Sequence, residues 1–265
     1  MIAGERSAFI RQSLLARRLI LAAGLLALWH IFVVLFRVPP FLLPSPVSVV
    51  STLFQDLISG RLLVALGNTL QLLIGGVALG LLGGVALATL SILSSWGKDL
   101  LSILTSVFNP LPGVAVLPLA MLWFGLTPAA IVFVIVYSAV WPMAISVDTG
   151  FRTLNPTLLM LGRNLGLRGL TLVKDVMLPA ALPYLLSGLR IAWAFGWRTV
   201  VAAELVFGVA GAQAGIGWYI NQARYFLETN RVFAALVSIS AVGMFVESIF
   251  ALLERRTIER WGMKR

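Results

Sequence analysis

The 265-residue sequence contains no cysteine, one histidine and few charged side chains. Without cysteine there can be no disulfide, no thiolate metal site and no cysteine nucleophile. The single histidine, His30, cannot form a metal site alone. Charged residues make up 11% of the chain, against about 25% in soluble domains. With 60% hydrophobic residues and a mean hydropathy of +0.99, much of the surface must face something other than water.

A nucleotide-binding loop is also missing. The chain has no Gly-x4-Gly-Lys-Ser/Thr motif, which holds nucleotide phosphates. The closest run, Gly97-Lys98-Asp99, lacks both the earlier glycine and the hydroxyl. We therefore expect no cofactor on this chain and no catalytic activity of its own. The net charge of +10 does not indicate a nucleic-acid partner, because the basic residues flank apolar runs instead of clustering with aromatic residues.

Six apolar segments are long enough to cross a membrane, which takes about 20 residues of helix. They are 14–36, 64–93, 100–123, 129–147, 183–209 and 232–253. The first begins with basic residues like a signal peptide, but its apolar run is too long and no small-residue cleavage site follows. We expect it to remain as an anchor. The sequence thus predicts an all-α integral membrane protein with six transmembrane helices, a single domain over 1–265, and core helices within 64–253.

The distribution of lysine and arginine predicts the orientation, because cytoplasmic loops carry the excess of positive charge. Fourteen basic residues lie on one side of the predicted spans and four on the other. The larger group lies in the N-terminal segment 1–13 and the first turn of the first span, near position 98, between the fourth and fifth spans, and in the tail 254–265. We therefore expect both ends in the cytoplasm, and a bacterial inner membrane as the location.

Two stripes of small residues predict close helix packing. Gly76, Gly80 and Gly84 recur every four residues in the second span, and Gly188 and Gly196 are part of a similar stripe in the fifth. Small residues let another helix backbone approach closely. The partner helix can belong to the same chain or to a second subunit.

The third span contains a run of prolines. Asn109, Pro110 and Pro112 lie in its middle, and proline removes a backbone donor and kinks a helix. In a membrane, such a break is tolerated where neighbouring helices or a water-filled cavity satisfy the freed carbonyls. We expect the span to bend or unwind here, either as lining of a translocation pathway or as a simple packing kink.

Charged residues within the spans need a structural or functional reason, because each costs about 2.5–3.5 kcal/mol on insertion scales. Arg190 and Glu247 lie near the predicted cytoplasmic ends of the fifth and sixth spans and can pair with each other. Arg198 and Glu204 lie deeper, about 120° apart around one helix. Each must find a partner on another helix, on a twin subunit or in a watery pathway. Structural pairing and pathway lining both remain open.

The longest predicted cytoplasmic loop, about 148–182, contains a short helix. Asn155 can cap its first turn, Pro156 suits the first helical position, and Gly166 can end it. Its exposed apolar residues indicate a partner surface, although the helix could also lie on the lipid.

This loop resembles the cytoplasmic signature loop of the permease subunits of ABC importers. Gly166 and Leu178-Pro179 match its glycine and Leu-Pro elements in type and spacing. Further similar runs are Leu43-Pro44-Ser45-Pro46, 117–125, 182–190, 201–205 and 252–256. The chain departs from the family where Met160-Leu161-Gly162 replaces Glu-Ala-Ala, which removes an acidic contact. The most similar branch is the permeases for nitrate, sulfonates, taurine and bicarbonate.

The resemblance implies a type I importer architecture in which the loop forms a coupling helix between the fourth and fifth spans. It implies that this surface docks on a cytoplasmic ATPase that binds ATP and magnesium, that a soluble binding protein delivers the cargo, and that two permease copies, surrounded by lipid, form the pathway. The implied coupling residues are Asn155, Pro156, Leu158, Leu159, Met160, Leu161, Gly162, Arg163, Gly166, Leu178 and Pro179. An autonomous channel or carrier and a membrane-embedded enzyme are the alternatives.

Overall fold

In a computed structural model, the chain is described for residues 2–207 and 214–256, with side chains for 16–206 and 214–256. Twelve α-helices and no strand occur in this described part. The helices are α1 Ile2–Leu35, α2 Pro46–Ile58, α3 Arg61–Leu93, α4 Ser95–Phe108, α5 Leu117–Phe124, α6 Pro128–Arg152, α7 Pro156–Asn164, α8 Gly169–Leu172, α9 Leu178–Ala180, α10 Leu182–Phe207, α11 Ile216–Tyr225 and α12 Thr229–Glu254.

The long apolar helices correspond to the predicted spans. Four helices of the described residues, α1, α3, α6 and α12, are each long and apolar enough to cross a membrane. Two bent pairs raise the number to six if each pair is one span. One pair is α4 with Gly113–Phe124, bent by 90°, and the other is Gly169–Ala180 with α10, bent by 76°. Residues 208 and 209 of the predicted span 183–209 lie outside the described residues, as do residues 257–265 of the predicted tail.

The core of the bundle consists of α3, α6 and α10. The glycine stripe of α3 packs on α6, where a Cβ added at Gly80 would lie 2.6 Å from the Cβ of Ala139. The stripe of α10 also packs on α6, since a Cβ at Gly188 would lie 2.8 Å from that of Ser146. Only residues without a Cβ allow these approaches. In both stripes the partner helix therefore belongs to the same chain and not to a second subunit.

The short helix α2 begins with a serine cap. The Ser48 amide donates to the Ser45 hydroxyl oxygen at 3.2 Å, an N-terminal cap that precedes Pro46. Around the bundle, α1 lies at the periphery, where almost all side chains of 16–35 are exposed. Trp29 contacts Phe233 of α12 with ring centroids 5.5 Å apart.

One buried carboxylate joins four elements at the end of the bundle where α3 begins. Asp56 of α2, only 3% exposed, accepts from the Tyr219 hydroxyl of α11 and from Arg231 Nε at 3.1 Å. Arg61 Nη1 lies 3.7 Å away. Burial and the bond to Asp56 raise the pKa of Tyr219, which keeps the phenol protonated as a donor. The sequence analysis did not predict this cluster, although Arg61 and Arg231 are two of the four basic residues counted on this side.

Candidate translocation pathway and coupling surface

A cavity of about 430 Å³ lies beside the break between α4 and α5. The proline run turns the chain by 90° there and brings Asn109, Pro110 and Pro112 to the sides of α6 and α10. The predicted bend is therefore confirmed. The cavity walls also include Ser138 of α6 and Arg198 of α10. We call it the arginine cavity.

Hydroxyl groups fix the wall of the arginine cavity. The hydroxyls of Ser138 and Thr199 are hydrogen-bonded at 2.9 Å, and Ser138 also donates to the Val134 carbonyl at 2.8 Å. Gly113 packs against both hydroxyl-bearing side chains so closely that an added Cβ would clash with Ser138 Oγ. The turn after the prolines is thus held against α6 and α10.

Arg198 is exposed on α10 and faces this cavity. It lies 16 residues into a 26-residue helix, about 24 Å along its axis. Among the described side chains no carboxylate forms an ion pair with it. A guanidinium stays charged at any relevant pH, so contact with lipid alone at this depth is costly. This face of α10 therefore requires water or another polar surface.

Glu204 lies on the same helix but in a different environment. Its carboxylate is 3% exposed and accepts from the Thr69 hydroxyl and from the Gly217 amide, both at 2.9 Å. The same hydroxyl accepts from the Ile216 amide at 2.8 Å. Glu204 and Thr69 thus satisfy the first two amides of α11, where a negative charge is favoured by the helix dipole.

Within one chain, Arg198 and Glu204 therefore do not form a structural pair. Thr69 and the start of α11 occupy the carboxylate, and Glu204 is not part of the cavity lining. Asn68 of α3 donates to the Ala214 carbonyl at 3.0 Å. The sequence analysis missed Thr69. Gly215 and Gly217, on either side of Ile216, are the residues in the sequence that could have indicated this contact. A Cβ at position 215 would clash with the Glu204 carboxylate.

The other charged pair of the spans is present as predicted. Arg190 of α10 donates to Glu247 of α12 through Nε at 3.2 Å and through a second, shorter bond from Nη2. Its Nη1 contacts Glu254 at 3.3 Å. These bonds join α10 to the peripheral α12 near the end of the bundle that carries α7.

The predicted short helix is α7, and its caps are those expected from the sequence. The Thr157 amide donates to Asn155 Oδ1 at 2.9 Å, and Pro156 occupies the first turn. Gly166 has a φ of +84°, which glycine adopts without strain. The bond from the Leu167 amide to the Gly162 carbonyl, at 3.0 Å, closes the helix end.

One face of α7 packs against the segment that follows it, and the other face is exposed. Gly162 is buried against Leu172, with the place for a Cβ only 2.7 Å from Leu172 Cδ1. Met160, Leu161 and Leu165 are exposed at 60%, 56% and 80%. Leu158 is also exposed, whereas Leu159 packs against the core. The coupling residues predicted in α7 thus divide into an apolar outer surface and an inner contact.

Leu178 and Pro179 connect α7 to α10. A π-helical segment, Val173–Met177, precedes them, and Pro179 and Pro183 cannot donate backbone hydrogen bonds. The 76° bend follows at this place. This bent segment connects α7 to the helix that carries Arg198.

Comparisons with known proteins agree with this arrangement. The family model described as "Binding-protein-dependent transport system inner membrane component" matches residues 76–259. The chain is 33% identical over 241 residues to a Bacillus subtilis protein named as the aliphatic sulfonates transport permease SsuC, covering 91% of this chain and 86% of that protein. It is 29% identical over 263 residues to the taurine transport system permease protein TauC of Escherichia coli, covering 91% and 90%.

A solved structure shows the same fold. The crystal structure of an amino acid ABC transporter with histidines aligns with a TM-score of 0.60 at 20% identity. The alignment covers 77% of this chain and 97% of that one. This similarity concerns the helical architecture alone.

Proposed function

We propose, from the premise that the chain belongs to the family of inner membrane components of binding-protein-dependent transport systems, that its cargo is a small organic sulfonate. The chain is a multi-pass transmembrane permease subunit of an ATP-driven importer, and it works with an ATPase and a substrate-binding protein. In our proposal ATP and magnesium bind to that ATPase, two copies of this chain form the pathway, and both chain ends lie in the cytoplasm.

The observation that carries the cargo proposal is the position of Arg198. Its permanent positive charge faces the arginine cavity without an ionic partner among the described side chains, beside Ser138 and Thr199. A sulfonate carries one negative charge and three acceptor oxygens, which suit the guanidinium donors of Arg198. The relatives named for sulfonate and taurine transport support the same class of cargo.

The proposed coupling uses the open face of α7. Its exposed apolar residues would dock on the ATPase, and closure of two ATPase subunits would move both copies of α7. Because Leu178 and Pro179 join this region to α10, that movement would change access to Arg198. The missing glutamate at Met160 leaves apolar contact as the main attraction.

ATP-dependent uptake of labelled taurine and of an alkanesulfonate, measured with the cognate ATPase and binding protein, tests this proposal. Arg198→Gln should lower the uptake rate at least about tenfold, because one charge-assisted hydrogen bond to the anion is lost. Arg224→Gln, which removes an exposed arginine from α11, is the matched control and should transport normally. Unchanged uptake by Arg198→Gln at equal membrane levels would contradict the role of Arg198 in the pathway.

A further inference from the structure

A second basic cavity lies at the opposite end of the bundle, next to α7. Its volume is about 850 Å³, and three arginines line it: Arg152 at the end of α6, Arg163 of α7 and Arg168 before α8. No acidic side chain of the described residues lines it. We call it the inner basic cavity.

One of the three arginines is already neutralised and fixed. Arg152 donates from Nε to Asp148 at 2.8 Å and from Nη2 to the Ser91 hydroxyl at 2.8 Å. Arg163 and Arg168 are exposed and form no ion pair with the described side chains. The cavity therefore has an excess of positive charge that the described side chains do not balance.

The remaining walls of the inner basic cavity are apolar. Ile92 and Leu93 come from the last turn of α3, Leu159 from α7, and Leu172 and Met177 from the segment that follows. A cavity that combines arginines with an apolar wall beside the ends of two membrane helices matches an amphipathic anion, whose phosphate binds the arginines and whose hydrocarbon binds the wall.

We propose that the inner basic cavity binds the phosphate of an anionic phospholipid of the inner leaflet. The inference rests on the proposed function in one respect, the cytoplasmic position of α7. The bound lipid would connect the ends of α3 and α6 to α7 and stabilise the position from which α7 contacts the ATPase.

The test measures lipid retention by the assembled transporter with native mass spectrometry, after exchange into detergent with phosphatidylglycerol or phosphatidylcholine. Wild type should retain phosphatidylglycerol preferentially. Arg163→Gln/Arg168→Gln should weaken this retention about 30-fold, since each basic residue near a lipid surface contributes roughly a fivefold factor. Arg255→Gln/Arg256→Gln removes two exposed charges from the end of α12 and should keep the preference.

Several results would overturn the lipid site. Equal retention of the two lipids by wild type would do so, as would equal loss in both double variants. Full displacement of phosphatidylglycerol by millimolar inorganic phosphate would identify a site for free anions instead. If the glutamine variant does not assemble, Arg163→Lys/Arg168→Lys keeps the charge and should keep the preference. This experiment does not measure uptake. A negative result would therefore contradict the lipid site without contradicting the proposed transport function.

Discussion

At the scale of single residues, Arg198 and Glu204 share a helix but act separately. Glu204 accepts hydrogen bonds from Thr69 and from the start of α11. Removing the Glu204 charge should therefore not offset the loss of the Arg198 charge. We expect Glu204→Gln to lower stability by about 1–3 kcal/mol and the double variant with Arg198→Gln to combine both defects additively. Thermal unfolding and uptake measure this. Recovery of uptake in the double variant would show that the two charges pair after all.

The sequence predicts which charges matter but not what they contact. Arg190 and Glu247 could be paired from sequence because both lie near the same end of adjacent spans. The partners of Glu204 could not, since Thr69 is 135 residues away and Thr69 also accepts from the distant start of α11. No local pattern encodes such a contact. It depends on how α3, α10 and α11 meet in three dimensions.

At the scale of elements, α7 offers the clearest test of coupling. Leu161 is 56% exposed on its open face, so Leu161→Asp should leave the fold intact but place a charge without a partner in the apolar contact with the ATPase. We expect ATPase copurification and coupled uptake to fall at least about tenfold, because the buried charge weakens binding to the ATPase by about 2 kcal/mol.

A leucine outside α7 provides the matched control for this variant. Leu227, between α11 and α12, is 68% exposed, and Leu227→Asp introduces the same charge. It should copurify with the ATPase like wild type. Normal ATPase content and normal uptake in Leu161→Asp would exclude this face of α7 as the docking surface.

Local signals predicted most elements of the fold. The caps of α7, the proline bend and the glycine stripes all follow from a few neighbouring residues, and the structure contains each of them. The π-helical segment before Leu178 was not predicted. The inner basic cavity was also missed, because its arginines come from three separate elements, which only the folded chain brings together.

At the scale of the whole molecule, the orientation in the membrane can be tested directly. The chain has no native cysteine, so single cysteines report without background. Ser45→Cys and Gln222→Cys should react with an impermeant thiol reagent applied outside intact cells, and Asn164→Cys should react only after the membrane is opened. The basis is the unequal distribution of basic residues. Labelling of position 164 in sealed cells would reverse the proposed orientation.

The central claim is that Arg198 favours anions in a water-filled pathway, and the reactivity of Ala202→Cys tests it most directly. Ala202 lines the arginine cavity with Arg198. We predict that a sulfonate-bearing methanethiosulfonate reacts with this cysteine faster than a trimethylammonium analogue, by about fivefold or more for a unit charge at roughly 4 Å in water. Excess substrate should slow the reaction, and Arg198→Gln should remove the preference. An unreactive cysteine, or a preference that persists without Arg198, would contradict the claim.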